Sequence, residues 1–165
     1  MTVALAVTVS PVNSLVFHSA YIGGMNAPRC NDFLAQTRQN LDPDEEVILF
    51  YDGAPANRNP AIPAANTELE MLLAYSPFLN RVELATGSLK AVIKRGVSTP
   101  EIQTRMDDRA EVRCLGIQLG EMRTQLLPDA LQRCIGVITA AKANEWFRFM
   151  QTFLPRCLNG EDIEG

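Results

Sequence analysis

Histidine and tryptophan occur once each in 165 residues, and cysteine four times. With His18 as the sole imidazole, no cage of histidines can hold a metal, and Ser76 has no histidine near it in sequence to make it a nucleophile. Cys30, Cys114, Cys134 and Cys157 are scattered with no C-x-x-C pair, which argues against a zinc ribbon or a disulfide framework and for reduced thiols in an intracellular protein. No apolar run approaches the ~20 residues that span a bilayer, so no membrane partner is expected. Residues 1–9 are apolar but lack the basic flank and small-residue cleavage site of a signal peptide. There is no glycine-rich phosphate loop, no repeat and no low-complexity tract. A basic excess is missing too: 15 Lys and Arg stand against 19 Asp and Glu, for a net charge of -4. Neutralising phosphates supplies most of the affinity for nucleic acid, so DNA binding by this chain alone should be weak. The closest thing to a basic cluster is Lys90, Lys94 and Arg95, at i, i+4 and i+5 on one helix face. That spacing suits a strip of phosphate contacts or an ordinary solvated face.

What is present is enough apolar residue, 47%, to build one core. Thr2–Val9 and Leu15–Ile22 are β-branched runs on either side of a Ser10–Ser14 turn and read as a hairpin. After Gly23-Gly24, Ala27-Pro28 opens a helix that runs to about Gln39. Glu46–Tyr51 reads as a strand, followed by a segment broken by Pro55, Pro60 and Pro63, with a short helix expected near Ala61–Asn66. Leu69–Leu73 reads as a short strand and Asn80–Val97 as a helix burying Leu84, Leu89, Val92 and Ile93. Ser98-Thr99-Pro100-Glu101 starts another helix. Helices are expected over about 100–126, 128–137 and Thr139–Phe153, with an acidic tail beyond Gly160. The fold class is α/β, with a core over 1–97, a helical extension over 98–159 and a tail over 160–165.

Two stretches carry chemistry. Val47–Tyr51 runs into Asp52 and then Gly53-Ala54-Pro55-Ala56-Asn57, which presents a carboxylate at the C-terminal tip of a buried strand. Tyr75-Ser76-Pro77-Phe78-Leu79-Asn80-Arg81-Val82-Glu83 is a turn into a helix with a glutamate in its opening turn. A strand tip and a helix start can bring two carboxylates to one divalent ion. Each acid also has a plainer role, Asp52 as a turn former and Glu83 as a partner of the helix dipole. His18 reads as a strand residue without a partner, Trp146, Phe147 and Phe153 as anchors of the last helix, and Tyr75 and Asn80 as residues shaping the turn before Glu83.

In this order the elements resemble the catalytic core of mariner-type transposases, DDE-superfamily endonucleases with a ribonuclease-H-like fold. Asp52-Gly53-Ala54-Pro55-Ala56-Asn57 resembles the family's second-acid motif and Ser76-Pro77-Phe78-Leu79-Asn80-Arg81-Val82-Glu83 its third. Met25-Asn26-Ala27 through Phe33-Leu34 resembles the helix after the hairpin, and Trp146-Phe147-Arg148 the C-terminal helix; the likeness spans about residues 3–158. Three positions depart from it: Gly53 replaces an asparagine, Asn57 a histidine and Arg81 a proline.

The resemblance implies Asp52 and Glu83 as catalytic, metal-binding acids, Mg²⁺ or Mn²⁺ as cofactor, DNA as substrate and, in a eukaryote, a nuclear location. It also implies a first acid on a central strand preceding the hairpin, yet residues 1–24 contain no carboxylate. Two-metal phosphodiester chemistry holds its ions about 4 Å apart on bridging and flanking carboxylates. Two acids would hold one ion weakly, so the chain is expected to be an inactive, truncated core that lacks its first central strand. Without that strand Val3–Val9 and Val47–Tyr51 each keep an unpaired edge, which favours homo-oligomers. Two alternatives remain: a repurposed, non-catalytic protein-interaction module with the same fold, and an unrelated α/β domain.

Overall fold

The computed structural model describes residues 3–72 and 79–161. Leu73 and the Tyr75–Phe78 part of the third-acid motif lie outside the described residues. The chain is mixed α/β, and the strands that are described form two separate two-stranded sheets.

The first sheet is a hairpin of β1 (Val3–Ser10) and β2 (Ser14–Ile22), antiparallel, pairing Val7 with His18 and Thr8 with Phe17. Pro11, Val12 and Asn13 form the turn, where the Ser10 hydroxyl accepts from the amides of Val12 and Asn13 and Ser14 takes a left-handed φ of 54°. The register slips between Thr8 and Val9, a bulge that absorbs the odd residue. Alternation then divides the hairpin. Leu5, Val7, Val9, Leu15 and Ala20 face one side, and Thr8 and Phe17 face the other.

Helix α1 (Ala27–Gln39) covers the Thr8 side. Asn26 caps it by accepting from the Arg29 amide, and Phe33 packs at a tilt against Phe17 with ring centroids 5.3 Å apart. The hydroxyls of Thr8 and Thr37 meet at 3.1 Å. A quarter-turn round the same helix, Cys30 and Leu34 pack against Leu49, Val47 and Leu69 of the second sheet. One helix thus supports both sheets. The second sheet is β3 (Val47–Tyr51) beside β4 (Thr67–Met71), parallel and in register from Val47–Thr67 to Tyr51–Met71. Arg38 fixes the approach to β3: it is buried and donates to the carbonyls of Asp42, Pro43 and Glu45.

The other hairpin face is covered by α2 (Arg81–Val97), α5 (Leu119–Cys134) and α6 (Ala140–Gln151) around Val7, Ala85, Leu89, Leu131 and Ile138. Between them lie α3 (Pro100–Asp107) and α4 (Arg109–Leu115), and α7 (Leu154–Leu158) ends the described chain.

Several elements differ from expectation. The second strand of the parallel pair is Thr67–Met71 rather than one beginning at Leu69, because Thr67 and Leu69 alternate inward while Glu68 and Glu70 face water. Residues 61–66 are not helical. The one tight helical turn in this loop is Pro55–Asn57, and Asn66 spends its amide on the carbonyls of Pro43 and Glu45. The stretch 100–126 is broken twice, by Asp108, whose carboxylate caps α4, and by Gly116 at φ 65°. Conversely Pro128 does not start a helix; α5 runs through it and buries Leu126, Ala130 and Leu131 on either side. In α2, Ala85 and Leu89 are the fully buried pair and Leu84 is exposed, since Leu84 lies one step of about 100° round the helix from Ala85.

Candidate metal-binding acids and their surroundings

Asp52 follows the last residue of β3 and is exposed. Its Oδ1 accepts from the Ala54 amide at 3.2 Å and from the Asn57 side-chain amide, which also reaches the Asp52 carbonyl. The loop bends because the aspartate bonds to the backbone two residues on, and Pro55 then sets φ for the tight turn. The Ala61 amide donates to Asn31 on α1 at 2.9 Å and pins the loop there. Burial pushes the Cys30 thiol above its ordinary value of 9.0, and the negative charge of Asp52 adds to the shift.

Glu83 occupies the first turn of α2 and is exposed. Asn80 caps that helix, its Oδ1 accepting from the Val82 amide at 3.2 Å, which gives Asn80 the turn-shaping role expected of it. Among the described residues no hydrogen bond or ion pair engages the Glu83 carboxylate, and none joins it to Asp52. Asp52 and Glu83 are hard oxygen donors suited to Mg²⁺ or Mn²⁺ in kind. They fall short in number: no group of three or more metal-ligating side chains gathers among the described residues.

The remaining candidates are placed as follows. Lys90, Lys94 and Arg95 are exposed on α2, and Lys94 and Arg95 edge an open depression with Ala91 and Ser98. His18, expected to stand alone, has its Nε2 3.4 Å from Oε1 of Gln132 on α5. Trp146 packs on the hairpin core, and Phe149 and Phe153 meet edge to face. All four cysteines are free, and no described helix is long and apolar enough to cross a membrane.

Two residues at the candidate site went unread as working parts of it. Asn57 restrains Asp52, for which the five-residue spacing across a Pro-containing turn was the available signal. Arg81, the first residue of α2, lays its guanidinium over the Phe147 ring 4.3 Å from the centroid. Its partner is far along the chain, so no local pattern announced it. No protein-family model matches this chain, and comparison with curated proteins and with solved structures likewise returns no match.

Proposed function

We propose that the chain is the core of a transposon-derived, metal-dependent DNA endonuclease or strand transferase of the DDE type, with Asp52 and Glu83 as two of its metal-holding acids. What supports this most is the order and position of the acids: one immediately after a core strand, the other in the first turn of a capped helix, on the scaffold of a hairpin and a following helix. In this reading Asp52 is aimed by Asn57 and Ala54, and Glu83 is free to turn toward an ion. The ion would polarise a phosphoryl oxygen and activate water. The third acid would come from a strand outside residues 1–165, pairing with the open edge of β1 or β3.

The test has two parts. Mn²⁺ added to the isotopically labelled chain should broaden the side-chain signals of Asp52 and Glu83 together, and Asp52→Ala should abolish the effect at Glu83. Broadening at one acid alone would end the shared-metal reading. Residues 1–165 by themselves should not nick supercoiled DNA in Mg²⁺ or Mn²⁺. Nicking that Asp52→Ala removes would show that two acids suffice.

A second reading draws on the surface. Ile48 and Phe50 point away from α1 and are 53% and 62% exposed. Apolar side chains on a strand with an open edge favour a repurposed module that binds protein. Loss of self-association or partner capture on Phe50→Lys, with Mn²⁺ binding absent, would favour it over the nuclease.

A further inference from the structure

We propose that Arg81, packed over the Phe147 ring, is a phosphate-binding arginine that grips the backbone of a nucleic-acid strand passing the start of α2. The choice of a phosphodiester among anions rests on reading Asp52 and Glu83 as nuclease acids; the anion site itself rests on Arg81 and Phe147.

Arg81 sits where a cation is disfavoured three times over. It is the first residue of a 17-residue helix, at the positive end of the dipole. It is partly withdrawn from water, which disfavours its charge. Among the described residues no carboxylate pairs with it and no carbonyl accepts from it. Among the described residues the Phe147 ring is its one favourable partner, 4.3 Å from Cζ to the centroid, and the ring offers no oxygen to the five N–H donors. Those donors lie in the guanidinium plane, a fork that fits two oxygens of a planar or tetrahedral anion. Arg105 and Arg156, by contrast, already spend their charge on Glu111 and Glu161. An anion would remove all three costs at Arg81. Glu83 lies two residues on, in the same first turn, so a phosphate chain crossing the start of α2 meets the cation and the metal-holding acid together.

The experiment is fluorescence anisotropy of a labelled single-stranded oligonucleotide titrated with residues 1–165 at several salt concentrations. Arg81→Gln should weaken binding about tenfold and reduce the slope of log K against log salt by about 0.7, the value of one single-strand phosphate contact. Arg81→Lys keeps the charge and loses the fork, so its slope should match the parent while affinity falls; it also serves if Arg81→Gln does not fold. Phe147→Leu should fall between. An unchanged slope and affinity in folded Arg81→Gln would overturn the proposal. If the parent binds no oligonucleotide, inorganic phosphate alone decides: a thermal shift that Arg81→Gln abolishes keeps the anion site without its choice of a phosphodiester, and no shift in the parent overturns the proposal, while the nuclease reading stands or falls on the Mn²⁺ test above.

Discussion

Cys30 illustrates how one side chain reports on another. It is buried between α1 and β3, and it ionises late because burial opposes the thiolate and the charge of Asp52 opposes it further. A thiol raised in the folded state stays protonated after the same thiol in the unfolded chain has lost its proton. Its share of stability is therefore complete below the ordinary value of 9.0 and is lost as pH rises through the folded-state value. Urea midpoints should be level with pH up to the onset of thiol ionisation and fall above it, and Cys30→Ala should flatten that alkaline limb. Asp52→Asn should lower the thiol's pKa and speed its alkylation at pH 9. No change in alkylation would mean that Asp52 is not the charge Cys30 feels.

At the scale of elements, α2 depends on a narrow stripe. Leu89 is fully buried against the hairpin, with Ala85 one turn before it. Leu89→Ala should cost about 2–5 kcal/mol in denaturant unfolding, whereas exposed Leu84→Ala should cost well under 1. Sequence alone marked α2, but it chose Leu84 because apolarity was weighed without the smallness that lets Ala85 approach the hairpin closely. The hairpin, α1 and β3 were legible because each is written locally, in β-branched runs, a proline at a helix start and an apolar run that ends on Asp52. The stretch 100–134 was not. Its breaks depend on Asp108 capturing two amides, and its continuity through Pro128 depends on burial of Leu126, Ala130 and Leu131 by distant helices. For the candidate site, the sequence put Asp52 after a strand, Glu83 in a helix's opening turn and Asn80 in the turn before it, and the structure has them there. The clamp on Asp52 and the Arg81–Phe147 contact required the folded chain, the second because α2 and α6 meet only after folding.

Over the whole molecule, the two sheets stay unjoined although both rest on α1. β1 is eight residues without a charge, and among the described residues neither β1 nor β3 pairs on its outer side. Uncharged open edges invite another strand. Purified residues 1–165 should therefore scatter light as species heavier than one chain, and a lysine at Phe50, on the water-facing side of β3, should shift the population toward monomer. A clean monomer with one cooperative, high-temperature transition would show that the edges need no partner. The division of labour between the hairpin's two faces also governs how the chain emerges from a ribosome. Thr8 and Phe17 are covered as soon as α1 follows, but the cover for Val7 comes from α2, α5 and α6, the last ending at Gln151. At about 5–20 residues per second, the more apolar face of the first element made waits roughly 6 to 26 seconds for its lid, and that interval is when a chaperone has most to hold.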